Sequence, residues 1–292
     1  MNFPSSNCQK ILIVRLSSLG DIVHTIPSQQ SIKQQWPQSE IHWLTQPPYD
    51  SFLKSVPGIS KVWLADTKKW RHQPLSLREV IPLIKSLRRE KFDVTLDFQG
   101  LLKSAALSRL SGAHRIVGLP PGRFQEPAAH YFYSETVTSD DESRPHVIES
   151  NFQLAIFLGC SEETLSPTIP LNISSADLHY VNEHLDRLKI KNPILINPGA
   201  GWVTKRWPMK SYAQLFIKIR EELDLPVVFT YGPGEELLIE QIRSESNSYS
   251  LATFPTNILQ FSALCRCSRL LVGGDTGPLH LAVSLETPTV AI

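Results

Sequence analysis

The 292 residues include only four cysteines, Cys8, Cys160, Cys265 and Cys267, with no Cys-x-x-Cys pair and no zinc-type histidine spacing. Neither a disulfide framework nor a structural zinc site is in view, and a reducing compartment is expected. Charge nearly cancels, 29 Lys and Arg against 28 Asp and Glu, so no overall pull toward nucleic acid follows. No apolar run approaches the roughly 18 residues of a membrane span, and the polar stretch from Met1 to Lys10 lacks the apolar core of a signal peptide. GxGxxG and the P-loop lysine pattern are missing, which disfavours dinucleotide dehydrogenases and P-loop enzymes. Asp-x-Asp is missing too, so no metal requirement is expected.

What the chain does have is alternation. Short apolar runs take turns with longer amphipathic ones, the pattern of an α/β protein with parallel sheets. Strands are predicted at Lys10–Leu16, Ile41–Thr45, Lys61–Leu64 and Phe92–Phe98, with helices at Asp21–Gln35, Leu77–Glu90 and Leu101–Leu110. The face of the second helix is Val80, Ile81, Ile84 and Leu87. Leu119–Pro145 reads as loop, His146–Leu158 as a helix leading away, and Ser161–Ser175 as a linker with Pro167 and Pro170. A second series follows, with helices at Asp177–Leu188, Ser211–Leu223 and Glu235–Ser244. Its strands are Pro193–Asn197, Val227–Tyr231 and Leu270–Gly273, and a last helix starts near Pro278. Thr287–Ile292 looks like a strand just beginning, which reads as a chain that stops inside a domain.

Chemistry-bearing residues gather where strands turn into helices. In Arg15-Leu16-Ser17-Ser18-Leu19-Gly20-Asp21, Gly20 permits a tight backbone and the helix start offers N–H groups to an anion. Asp21 either caps that helix or stands as a general base; His24 packs or orients. In Asp97-Phe98-Gln99-Gly100-Leu101-Leu102-Lys103, Asp97, Gln99 and Lys103 either line an acceptor pocket or make a plain turn and cap. In Gly199-Ala200-Gly201-Trp202-Val203-Thr204-Lys205-Arg206-Trp207, Thr204 with Lys205 or Arg206 suits a diphosphate, and Trp207 packs the loop. Glu235 or Glu236 could accept from a ribose hydroxyl, or simply begin a solvated helix. Gly273-Gly274-Asp275-Thr276-Gly277-Pro278-Leu279-His280 is the most specific element: N–H groups at Thr276 and Gly277 would face a phosphate, with Asp275 capping the helix, holding ligand or holding Lys205.

In their order, RLSSLGDIVHTIP, DFQGLLKSA, NPGAGWVTKRWP, YGPGEE and GGDTGPLHLA resemble glycosyltransferase family 9, the ADP-heptose:lipopolysaccharide heptosyltransferases, over nearly the whole chain. The resemblance implies the GT-B fold, two Rossmann-like domains facing each other across a cleft. Residues 1–165 would form the acceptor side and 176–292 an incomplete nucleotide-sugar side. It implies Asp21 as catalytic base and Lys205 on the donor diphosphate. Gly20, Thr204, Glu235, Asp275, Thr276, Gly277 and His280 would bind donor, and Asp97, Gln99 and Lys103 would lie toward the acceptor. The implied reaction is metal-independent inverting transfer from an ADP-sugar to a glycolipid or glycan, by a cytoplasmic monomer touching the inner membrane surface. Other readings of the residues are a GT-B enzyme acting on a different sugar nucleotide, such as an epimerase, or a non-catalytic nucleotide-sugar-binding protein.

Overall fold

A computed structural model describes residues 9–120, 126–137, 146–246 and 249–292. The chain divides into two compact units, Met1–Ile169 and Pro170–Ile292.

The first unit holds β1 (Lys10–Val14), α1 (Leu19–Val23), α2 (Ile26–Gln35), β2 (Glu40–Thr45), α3 (Asp50–Lys54), β3 (Ile59–Leu64), α4 (Thr67–His72), α5 (Val80–Glu90), β4 (Val94–Asp97), α6 (Leu102–Leu110), β5 (Arg115–Gly118), β6 (Glu135–Thr136) and α7 (Val147–Phe157). Its six strands pair in parallel in the order β3-β2-β1-β4-β5-β6. Ile11, Leu12, Ile13 and Val14 are all fully buried, as a strand covered on both faces requires. Strand order reverses between β1 and β4, so the loops leaving their carboxyl ends diverge there, the usual ligand position in such sheets.

The second unit holds α8 (Ser175–Arg187), β7 (Ile194–Asn197), α9 (Met209–Lys218), β8 (Val227–Phe229), α10 (Glu236–Ser244), β9 (Ala252–Thr253), α11 (Ile258–Arg266), β10 (Leu270–Gly273), α12 (Gly277–Ser284) and β11 (Thr289–Ala291). The sheet is again parallel, β11-β10-β7-β8-β9, and its reversal lies between β7 and β10. Tyr212, Phe216, Phe229 and Ile242 anchor its core.

Four expectations are corrected. Asp21–Gln35 is not one helix: α1 begins at Leu19 and yields to α2 after His24 and Thr25, so Gly20 is a buried helical residue and makes no turn. Residues 74–79 form a 3₁₀ turn before α5, and Ile81 is 60% exposed while Leu87 is fully buried; the inward pair is Leu83 and Leu87, one helical turn apart. The helix from His146 does not lead away. Its Asn151 Nδ2 donates to the His24 carbonyl at 3.2 Å, and Phe152, Leu154 and Ala155 are buried on α7. Of the predicted loop from Leu119 to Pro145, residues 127–132 are a 3₁₀ turn and 135–136 are β6, while 121–125 and 138–145 lie outside the described residues.

Candidate active site

In the first unit the reversal point carries Asp21. Its Oδ2 accepts from the Ser18 backbone N–H and the Ser18 hydroxyl, both at 2.9 Å, which closes the first turn of α1 as a capping residue does. Its Oδ1 faces the Arg15 guanidinium, with Nη2 at 2.7 Å. Both sequence readings of Asp21 therefore draw on the same carboxylate, one oxygen serving the helix and the other facing a cation. The side chain is 38% exposed. Burial alone would push its pKa up, but Arg15 and the two Ser18 donors outweigh that and hold it below the ordinary carboxylate value. Asp21 is thus an ionised, partly open carboxylate. Tyr49, at the start of α3, receives the Leu19 N–H and feels the Asp21 charge; sequence reading passed over it because nothing local marks it.

The β4 loop supports this arrangement from behind. The Gln99 side-chain oxygen accepts from Leu16 N–H at 2.8 Å and Ser17 N–H at 3.2 Å, so its carbonyl end is engaged with the loop ahead of Asp21. Asp97 is fully buried and does not line a pocket as expected. One oxygen accepts from the Gln99 and Gly100 N–H groups, and the other from the Ser104 and Tyr133 hydroxyls, at 2.9 and 2.8 Å. Burial raises its pKa against those donors. A buried carboxylate with four donors is a structural group. Tyr133 reaches it by lying across Gly118, where any Cβ would sit 2.1 Å from the ring; Gly118 and Asp97 are paired on neighbouring strands.

Lys103 on α6 is half-buried, and burial together with Arg71 and Lys68 of α4 lowers its pKa, with Glu126 opposing. Three cations from two helices thus share one neighbourhood. The run Thr67-Lys68-Lys69-Trp70-Arg71-His72 is the sequence signal for the two that sequence reading left out.

In the second unit, the loops after β7 and β10 meet. Glycines allow it: a Cβ at Gly273 would lie 3.0 Å from the Asn197 carbonyl, and one at Gly274 would lie 3.0 Å from that of Lys205. Lys205 Nζ reaches Asp275 Oδ2 at 2.8 Å and the Asp275 carbonyl at 3.3 Å. His280 Nε2 approaches Asp275 Oδ1 at 3.0 Å. Of the roles open to Asp275, holding Lys205 is the one seen. The Lys205 hydrogen bond, assisted by His280 and opposed by slight burial, holds the Asp275 pKa below its ordinary value. Thr276 is the residue before α12, and its hydroxyl oxygen is buried without a hydrogen-bond partner, a group suited to an incoming acceptor atom. Gly277 opens α12 with proline behind it, leaving the first N–H groups outside the helix ladder.

Around this cluster, Thr204 and Trp202 are exposed on the loop. Arg206 donates to the Ala200 carbonyl through Nε and Nη2 at 3.0 and 2.8 Å, so it braces the loop and Lys205 is the outward cation. Trp207 packs edge-on against Tyr212, as its place after the loop suggested. Glu235 folds back: its carboxylate accepts from Gly232 N–H at 2.8 Å and lies so close to Gly199 that a Cβ there would be 2.2 Å from Oε2. Glu236 is exposed and meets only the Gly234 N–H, so Glu235 is the glutamate that faces the loop after β7. Among the described residues no group of three or more His, Cys, Asp or Glu could hold a metal. No described helix is long and apolar enough to cross a membrane.

Comparison with known proteins gives the family and the fold. The sequence pattern of glycosyltransferase family 9 (heptosyltransferase) matches residues 80–292. The lipopolysaccharide core heptosyltransferase OpsX of Haemophilus influenzae is 26% identical over 99% of this chain and 79% of its own length. A family 9 glycosyltransferase structure from Veillonella parvula superposes with a TM-score of 0.82 at 19% identity, covering 97% of this chain and 80% of that one. The Escherichia coli heptosyltransferase WaaC, solved with ADP-2-deoxy-2-fluoro heptose, superposes with a TM-score of 0.76 at 22% identity, covering 97% of this chain and 88% of that one. These likenesses carry the GT-B architecture.

Proposed function

From the premise that the chain belongs to glycosyltransferase family 9, we propose that it transfers a heptose from an ADP-sugar to a lipopolysaccharide-core sugar, with inversion and without a metal. The observation that carries this reading is the occupancy of both reversal points. An ionised, half-open carboxylate, Asp21, stands at one, and the Lys205–Asp275–His280 cluster beside the start of α12 stands at the other.

The chemistry follows from those groups. Asp21 Oδ1 takes the proton of the acceptor hydroxyl as that oxygen bonds to the anomeric carbon. The bond from that carbon to the diphosphate breaks with its electron pair, and ADP leaves from the opposite face with one more negative charge. Lys205 and the free N–H groups at Thr276 and Gly277 stabilise that charge, the role a metal fills elsewhere. Thr204 and the Thr276 hydroxyl are donors to the same diphosphate, His280 orients the sugar side through Asp275, and Glu235 accepts from the ribose. Lys103, with Lys68 and Arg71, would meet an acidic acceptor. Such an acceptor places the enzyme at the cytoplasmic face of the membrane.

The test is ADP release with ADP-heptose and a heptose-deficient core acceptor, comparing ADP-, UDP- and GDP-sugars. Asp21→Asn should lower turnover by about 10²–10⁴-fold, the usual contribution of a general base, in a protein still folded at the assay temperature, although the melting temperature falls because the Arg15 guanidinium loses its charged partner. Near-normal turnover by that variant would remove Asp21 from the chemistry, and equal use of a UDP-sugar would defeat the donor assignment.

A further inference from the structure

The group that sets the geometry of Asp21 is Arg15, which no sequence motif singled out for a role. Arg15 is 8% exposed and is fixed from two sides, by β2 and by the residue after β4. Its backbone N–H donates to the Leu44 carbonyl at 3.2 Å, and its carbonyl accepts from Trp43 Nε1 at 3.1 Å. Its Nη1 donates to the Phe98 carbonyl, and Phe98 is itself tied to β1 by its N–H to Val14 at 3.1 Å. Only Nη2 reaches outward, to Asp21 Oδ1 at 2.7 Å, while Nε is buried and bonds to nothing. The two terminal nitrogens are directed to the backbone carbonyl of Phe98, the residue after β4, and to the carboxylate.

We propose that Arg15 is the positioning residue of the transfer reaction, a rigid planar fork that carries the Asp21 carboxylate on the sheet. The proposal rests on the reading of Asp21 as base. The fork matters because two in-plane N–H groups on one rigid unit fix direction as well as distance. Gln99, by accepting from Leu16 and Ser17 N–H, fixes the segment between Arg15 and Ser18 and so completes the frame.

Among the described residues, Arg15 is the charged group whose influence on Asp21 is resolved. Ser18 is neutral, and Tyr49 from the β2–α3 connection keeps its proton, since burial raises its pKa and Asp21 raises it further. His24 lies one turn along and packs edge-on against His146 of α7; Glu149 of α7 is occupied with the His146 N–H. With Arg15 neutralised, burial, already the largest single influence on Asp21, is opposed by the Ser18 donors alone, and the pKa should rise.

The experiment is a pH profile of kcat and of donor KM for the full chain with ADP-heptose and a heptose-deficient core acceptor. Three variants are compared: Arg15→Gln, Arg15→Lys and Asp21→Asn. Arg15→Gln should lower kcat at pH 7 by about 10²-fold, the usual consequence of a displacement near 1 Å, and move the acid limb up by about one pH unit or more. Donor KM should not change, because the donor cluster lies in the other unit. Arg15→Lys should restore the acid limb, since the charge returns, while recovering only part of kcat, since the fork does not. A folded Arg15→Gln protein with an unmoved acid limb overturns the proposal. If that variant does not fold, Arg15→Lys decides: reduced kcat with a retained limb supports it, and unchanged kcat overturns it. An active Asp21→Asn protein brings down the base assignment itself. An inactive one alongside an unmoved Arg15→Gln limb brings down Arg15 alone.

Discussion

Replacing Lys205 by alanine separates a functional cation from a structural one. In the folded chain its ammonium pairs with Asp275 at 2.8 Å, but the two side chains are 49% and 61% exposed. An ion pair that open contributes about 0–1 kcal/mol, and Asp275 keeps His280 at 3.0 Å after the change. Lys205→Ala should therefore move the melting temperature by no more than about 4 °C, the shift about 1 kcal/mol produces in a chain of this order of size. Its effect on turnover should be of another order. If the ammonium offsets charge developing on the diphosphate, its loss resembles removal of an oxyanion donor, about 10²–10³-fold in kcat. Asp275→Asn supplies the contrast. It leaves Lys205 in place and removes the carboxylate that competes with a phosphate for it, so it should weaken transfer less than Lys205→Ala does. The assay is paired calorimetry and ADP release on the same preparations. A Lys205→Ala protein that melts normally and turns over normally would refute the reasoning. So would one whose loss of activity is fully accounted for by unfolding at the assay temperature.

Gly118→Ala should destabilise the first unit by about 1–3 kcal/mol or more, the cost of overpacking, because its Cβ would strike the Tyr133 ring; urea unfolding measures it, and a neutral result would mean that Tyr133 does not lie across that strand. Glu90 bridges Lys61 at 2.8 Å and Lys10 at 3.1 Å, and the Lys61 hydrogen bond, then Lys10, hold its pKa below the ordinary value against some burial. A carboxyl lowered in the folded state adds stability above its unfolded pKa and loses it as pH falls through the folded one. Glu90→Gln should thus cost up to about 1 kcal/mol at pH 7 and progressively less as pH falls through the folded-state pKa of Glu90, and a cost that does not decline in acid would contradict the pairing. EDTA should leave turnover unchanged, and activity abolished by chelation and restored by a divalent ion would overturn the metal-free mechanism.

The parallel sheets were legible because their strands are continuous apolar runs bounded by turn residues, as in Lys10–Val14 and Leu270–Gly273. Less legible were elements whose cause is tertiary. The β5 strand is four residues long and includes Gly118, kept free of a side chain by Tyr133. The helix α11 carries a local announcement that went unread, Asn257 capping Gln260 and Gln260 returning the bond. In the site, holding Lys205 was one of three roles the sequence left open for Asp275, and what selects it is the pairing of β7 with β10, which brings their two glycine-bounded loops together. It placed Asp97 wrongly because a carboxylate at a strand end looks the same whether it opens to ligand or closes onto a tyrosine 36 residues later. Arg15 was hidden for a related reason: one of the contacts that anchor its guanidinium is the carbonyl of Phe98, 83 positions away.

Trp202 is 75% exposed, and of the six tryptophans it is the one on the surface. Its carbonyl accepts the Lys205 N–H at 3.0 Å, so the indole rides on the same short turn as the ammonium. That makes the protein its own optical probe. Emission from a solvated indole lies to the red and is open to collisional quenchers, whereas buried Trp43 is shielded. A molecule settling on the Thr204–Lys205 turn would register as a blue shift and a loss of acrylamide quenching from this residue, and a Trp202→Phe chain would lose that response. Occupancy of the second unit could then be followed by light alone, without a transferable sugar or an acceptor in the cuvette.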